Sequence, residues 1–126
     1  VGEWEEWGNP IDSPEIYEYM RSYSPTENVV EAEYPAVLAT TSFNDIRVFY
    51  VEPTKWVQRL REATGQVPST DEAGAGAVPA RDPRERPIIL RTEMVAGHAG
   101  PSGREGRWAA RCEEFAFALG QVGVTL

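Results

Sequence analysis

Apolar positions recur along the chain with two different periods. Ile16, Tyr19, Met20 and Tyr23 fall at relative positions 0, 3, 4 and 7, which is one face of a short helix. Ser13-Pro14 ahead of them reads as an N-cap followed by proline at the first helical position. Ser24-Pro25 stops the pattern, because the residue before proline is pushed out of the α region. Tyr34 to Thr41 is mostly apolar, with β-branched members and little alternation. Strands buried on both faces of a parallel sheet have this pattern. Ser42-Phe43-Asn44-Asp45 is the loop expected to follow. From Pro53 a second helical pattern places Trp56, Leu60 and Ala63 on one face with Val57 beside them. Ile88-Ile89-Leu90, inside Pro87 to Met94, predicts a second strand, and a glycine-rich loop with Gly97, His98, Gly100 and Gly103 comes after it. Trp108, Cys112, Phe115 and Leu119 then fall at 0, 4, 7 and 11, an amphipathic closing helix.

Between the second helix and the second strand the period is lost. Thr64 to Arg86 is Gly, Pro, Ala and charge, longer than the roughly 12–15 residues of ordinary connections. Such a stretch buries too little apolar area to offset an ordering entropy of about 1–2 kcal/mol per residue. It is expected to be a flexible loop, with Arg81, Arg84 and Arg86 open to nicking. The order helix, strand, helix, strand, helix implies an α/β class with a parallel pair and a right-handed crossover. It supplies only the end of a sheet.

Composition narrows the function. The 126 residues suit one modest domain, and 41% apolar content is enough for a packed core. A net charge of −8 argues against duplex nucleic acid and against an anionic membrane surface as partners. No apolar run approaches the roughly 20 residues of a membrane span, and no signal-peptide pattern opens the chain. A single Cys and a single His cannot form a structural zinc site, which wants about four such ligands; carboxylate-only sites stay open in principle, but no D-x-[DN]-x-[DN]-G spacing appears, and no metal or cofactor is expected. They also preclude an internal disulfide, which fits a reducing compartment and an expected cytoplasmic location. Cys112, flanked by Ala110, Arg111, Glu113 and Glu114, reads as a small buried side chain.

The candidate chemistry lies at one edge of the predicted sheet. Loops leaving two parallel strands emerge on the same side, where ligands and catalytic groups collect. Asp45 sits just after the first strand and the only histidine, His98, just after the second. An aspartate accepting a hydrogen bond from imidazole fixes its tautomer and stabilises the imidazolium, the orienting half of a serine-hydrolase triad. The order Asp then His is the one α/β-hydrolases show after their nucleophile. The alternative is a non-catalytic binding or structural module in which Asp45 and His98 are incidental. None of Ser13, Ser22, Ser24, Ser42, Ser69 and Ser102 sits in G-x-S-x-G.

Five ordered stretches carry a resemblance: Glu3-Trp4-Glu5-Glu6-Trp7-Gly8-Asn9-Pro10, Tyr19-Met20-Arg21-Ser22-Tyr23-Ser24-Pro25, Thr40 to Asp45, Val51 to Val57, and Gly97-His98-Ala99-Gly100 through Ser102-Gly103-Arg104. Together they resemble the oligopeptidase B (protease II) branch of the prolyl oligopeptidase family of serine peptidases. The resemblance covers nearly the whole chain except Thr64 to Arg86. It implies the C-terminal part of a catalytic α/β-hydrolase fold, residues 1–126, with parallel strands and flanking helices. The partners it implies are peptides with basic residues, the upstream part of the same domain and a β-propeller. The opening at Val1 rather than Met fits a chain that starts elsewhere. Carried over position by position, Asp45 would be the triad acid and His98 the general base, with the serine upstream of Val1 and the chain alone inactive. Glu3 and Glu5 fall where that branch holds a basic side chain before the scissile bond. In an extended segment the two would point to the same face and grip a guanidinium through charge-assisted bonds. Trp4 and Trp7 beside them are expected to pack. Arg47 matches an arginine that in prolyl oligopeptidase binds a substrate carbonyl. Ala99 departs from the glycine often found after the catalytic histidine, and the loop is longer than the family's. Post-proline cleavage is the other enzymatic reading.

Overall fold

The two apolar runs meet as a parallel pair. β1 (Val37–Ser42) and β2 (Ile88–Glu93) align from Val37 opposite Ile88 to Ser42 opposite Glu93. Main-chain bonds extend the ladder at both ends, from Val37 N–H to the Pro87 carbonyl and from Phe43 N–H to the Glu93 carbonyl, each 2.8 Å. The first strand starts three residues later than the apolar run. Pro35 lacks an N–H for a ladder, and the Tyr34 hydroxyl bonds back to Val30 instead. Ser42, expected in the loop, is the last strand residue. The structure is a computed structural model that describes residues 3–66 and 85–124. Most of the stretch expected as a flexible loop, 67–84, lies outside the described residues.

Among the described residues four helices complete the order: α1 (Trp4–Trp7), α2 (Pro14–Tyr23), α3 (Val51–Ala63) and α4 (Arg104–Gln121). In α2 the Ser13 hydroxyl accepts from Ile16 N–H and Pro14 occupies the first turn, as the sequence predicts. The helix α3 begins two residues before Pro53, whose missing N–H is harmless in a first turn. Its end is a Schellman motif. Gly65, at φ +70°, donates to the Glu62 carbonyl and Gln66 N–H reaches the Arg61 carbonyl, the pairing that a left-handed residue after a helix permits. The Gln66 side-chain amide then donates to the Arg86 carbonyl at 2.9 Å, pinning the end of α3 to the approach of β2.

The core lies between α3 and the strand pair. Val57 and Leu60, each 1% exposed, pack with Ala39 and Ile88, and Val29, Tyr34, Val37, Trp56 and Leu90 surround them. Arg61 crosses from the same helix to donate to the Ile88 carbonyl. Alternation along β2 puts Arg91 and Glu93 on the face opposite Ile88 and Leu90, and there Arg91 pairs with Glu113 of α4.

A correction concerns the same helix. Trp108 and Phe115, expected to be the buried stripe of the closing helix, are 60% and 65% exposed, and Cys112 is exposed rather than buried. Toward α4 the strand pair presents the charged Arg91 and Glu93, which offer Trp108 and Phe115 no apolar surface to bury against. The guanidinium of Arg104 lies 5.0 Å above the Trp108 ring, a cation–π contact that covers part of it.

A second correction concerns the chain's start. Glu3 to Trp7 is not extended: Glu6 and Trp7 N–H both bond the Glu3 carbonyl, closing a helical turn. Glu5 and Glu6 sit in its first turn, where the helix dipole favours carboxylates. Trp4 and Trp7, expected to pack, are 38% and 62% exposed. Residues two apart on a helix do not share a face, so the same-face geometry expected for Glu3 and Glu5 does not hold.

Leu60→Ala is expected to destabilise the fold by about 2–5 kcal/mol through lost burial and a residual cavity. Phe115→Ala should stay within about 0.5 kcal/mol. Urea denaturation of the two variants against the parent checks the ranking.

Candidate active site

Both strands end at the same edge, and each hands its chain to a loop that bears one functional side chain. After β1 the backbone turns at once, with Asp45 N–H bonded to the Ser42 carbonyl. The Asp45 carboxylate then organises its own loop: Oδ1 accepts from the N–H groups of Arg47 (2.9 Å) and Val48 (3.0 Å). Short acidic side chains favour such turns because they replace a backbone acceptor. After β2, Gly97 and Gly100 close a tight turn through a 3.0 Å bond from Gly100 N–H to the Gly97 carbonyl. Gly100 stands at φ +74°, a conformation costly for residues with a Cβ. His98 and Ala99 occupy the tip.

The loops meet through Asp45 Oδ2 and His98 Nδ1, 2.9 Å apart. The Asp45 side chain is 11% exposed and the imidazole 51% exposed. A carboxylate only accepts, so Nδ1 carries the proton and Nε2 is left with its lone pair for another donor. The Asp45 carboxyl is held below its ordinary value chiefly by the Val48 N–H bond; burial, the next largest influence, pulls upward, and the bonds from His98 and Arg47 add to the lowering.

Beneath the pair lies a cavity of 420 Å³ whose polar lining includes Ser42, Asp45, Arg91, Glu93, His98 and Glu114. Ser42 is 8% exposed at a strand end, not on the sharp strand-to-helix turn that presents a nucleophile. Glu93 was not singled out from sequence. Its carboxylate accepts from Val95 N–H (3.2 Å) and faces Arg91 at 3.9 Å, so it shapes the loop leading to His98. The Arg91-x-Glu93 charges inside a short apolar strand were the available signal.

Of the sequence-predicted residues, Asp45 and His98 are brought together. Arg47 is adjacent only through its backbone. Among the described residues, no hydrogen bond or ion pair joins Glu3, Glu5 or the Arg47 guanidinium to that pair. No group of three or more His, Cys, Asp or Glu among the described residues could hold a metal ion, and no described helix is long and apolar enough to cross a membrane.

A depressed carboxyl pKa stabilises the fold above the ordinary aspartate range, and the contribution disappears as pH falls through the lowered value. The stability gap between the parent and Asp45→Asn is therefore expected to be full near pH 6–7 and to shrink below about pH 4. Thermal melts across that range check it.

Comparison with known proteins adds an independent observation. Residues 1–125 match the model of the prolyl oligopeptidase family. Protease 2 of Moraxella lacunata is 41% identical over 122 residues, covering 97% of this chain and 15% of that protein. Dipeptidyl aminopeptidase BI of Pseudoxanthomonas mexicana is 39% identical over 124 residues, 98% of this chain and 14% of that protein. The structure of oligopeptidase B from Leishmania major superposes with a TM-score of 0.70 at 36% identity, covering 95% of this chain and 14% of that one. The chain thus spans about one-seventh of the length of the relatives it matches, and over that span sequence and fold agree: it is oligopeptidase B-like and belongs to the prolyl oligopeptidase family.

Proposed function

We propose that these residues form the C-terminal portion of the catalytic domain of a serine oligopeptidase, with Asp45 as triad acid and His98 as general base. The observation that carries the reading is the 2.9 Å contact between His98 Nδ1 and Asp45 Oδ2 at the carboxyl edge of a parallel pair. With Nδ1 committed to Asp45, Nε2 takes the proton of a serine hydroxyl as its oxygen attacks the substrate carbonyl. The same proton then passes to the leaving amine, and water repeats the cycle on the acyl-enzyme. Asp45 stays ionised and stabilises the imidazolium. The serine and the oxyanion donors come from sequence outside these 126 residues, as does the β-propeller that the resemblance implies.

The specificity we propose is cleavage after Arg or Lys, with Glu3 and Glu5 receiving the basic side chain. The acidic turn at Glu3, Glu5 and Glu6 and the overall charge of −8 support it. Because the two carboxylates do not share a helix face, they would approach a guanidinium from two sides rather than as a flat pair. Arg47, exposed beside Asp45, is a further candidate for the substrate carbonyl. A second reading, release of N-terminal dipeptides, draws support from the 39% identity to dipeptidyl aminopeptidase BI. Substrates with free and blocked amino termini separate the two, and a preference for proline over arginine would replace both.

In the intact peptidase, His98→Ala is expected to abolish hydrolysis of an arginyl ester, and Asp45→Asn to lower kcat by about 10⁴. The 126 residues alone should be inactive, because acyl transfer also needs a nucleophile and oxyanion donors. Wild-type turnover by either variant would remove the triad assignment.

Glu3→Gln combined with Glu5→Gln is expected to reduce kcat/KM for arginyl substrates by roughly 10²–10⁴ while sparing uncharged ones. An unchanged ratio between the two substrate classes would refute the pocket.

A further inference from the structure

We propose that Asn44 is a positioning residue that sets the distance between Asp45 and His98. The inference rests on the triad reading above and goes beyond it, since the Asn44 side chain bonds the main chain of the histidine loop rather than the imidazole. The β1–β2 ladder ends with Phe43 N–H on the Glu93 carbonyl. One residue later the main chain has turned away to form the Asp45 loop, yet contact between the strands continues through a side chain. Asn44 Nδ2 donates to the Val95 carbonyl at 3.1 Å and lies 3.4 Å from the Met94 carbonyl. The main chain of Asn44 also leans on the same loop: a Cβ built at Gly97 would sit 3.4 Å from the Asn44 carbonyl oxygen. Residue 44 therefore bears on the histidine loop twice, just ahead of the residue that binds His98.

Polarity assigns the amide's role. Two carbonyls face it, and carbonyls only accept, so the group there must be a donor. An aspartate of the same shape would place a carboxylate against two acceptors. Asn44 and Asp45 are thus near-isosteric neighbours with opposite tasks, one donating to the loop that carries His98 and the other accepting from His98 itself. Without the Asn44 bonds, the two loops are joined at this edge by the Asp45–His98 contact alone among the side-chain hydrogen bonds of the described residues, and that contact would have to hold its own geometry.

The test uses the intact peptidase and four proteins: the parent, Asn44→Ala, Asn44→Asp and Asp45→Asn. The readouts are steady-state kcat and KM on an arginyl ester and the far-downfield proton resonance of the imidazole Nδ1–H. Small misplacements of catalytic groups cost rate rather than binding, so both Asn44 variants are expected to lose roughly tenfold or more in kcat at unchanged KM, with the resonance shifted or broadened. Asn44→Asp keeps the volume and guards against a folding defect in the alanine variant, with circular dichroism as the control. The proposal is overturned if Asn44→Asp retains the parent's kcat and resonance, or if the variants change KM alone. Parent-like kcat and resonance in Asp45→Asn would instead bring down the triad reading, and the Asn44 proposal with it.

Discussion

The parallel register of β1 and β2 is the constraint on which the site depends. Antiparallel strands would send their following loops to opposite ends of the pair. Here Ser42 ends opposite Glu93, so the next few residues of both strands are held within a strand spacing of each other. A hydrogen bond between side chains far apart in sequence then needs no special fold, only two tight turns that begin at the same level. The Asp45 carboxylate supplies one by accepting two amides of its own loop, and Gly97 to Gly100 supplies the other. The register itself is anchored where Val57 and Leu60 seal Ala39 and Ile88.

The two faces of the strand pair are held by different physics. Toward α3 the contact is mainly apolar, with the Arg61 side chain donating across it to the Ile88 carbonyl and the buried Thr64 hydroxyl returning to the Leu60 carbonyl. Toward α4 it is ionic, through Arg91 and Glu113. A partly exposed ion pair contributes little to stability, typically under about 1 kcal/mol, so α4 is held to the strands weakly. Trp108 and Phe115 face outward, and an apolar surface of that kind is where further protein is ordinarily added.

Much of this arrangement was legible in the sequence because its signals were local. Ser13-Pro14 marked a helix start, the unalternating runs marked buried strands, and Gly97 and Gly100 around a lone histidine marked a turn. The parallel pairing followed from the strand–helix–strand order, and with it the meeting of Asp45 and His98. What could not be read depended on partners. The outward face of α4 was set by Arg91 and Glu93 on a strand far away in sequence, which a helical period cannot register. The turn at Glu3 to Trp7 was too short for periodicity to separate helix from strand. Asn44 looked like loop filler until its amide met two carbonyls of the other loop.

The closure of α3 has a consequence for how this chain can vary between species. Gly65 and Gln66 finish the helix with its own carbonyls, and the Gln66 amide clasps the Arg86 carbonyl, so the backbone leaves and re-enters at one spot. Lengthening a flexible closed segment costs only about 0.6 kcal/mol per doubling. The span between Gln66 and Arg86 can therefore change in length at little closure entropy while the Gln66–Arg86 clasp keeps the end of α3 beside the start of β2.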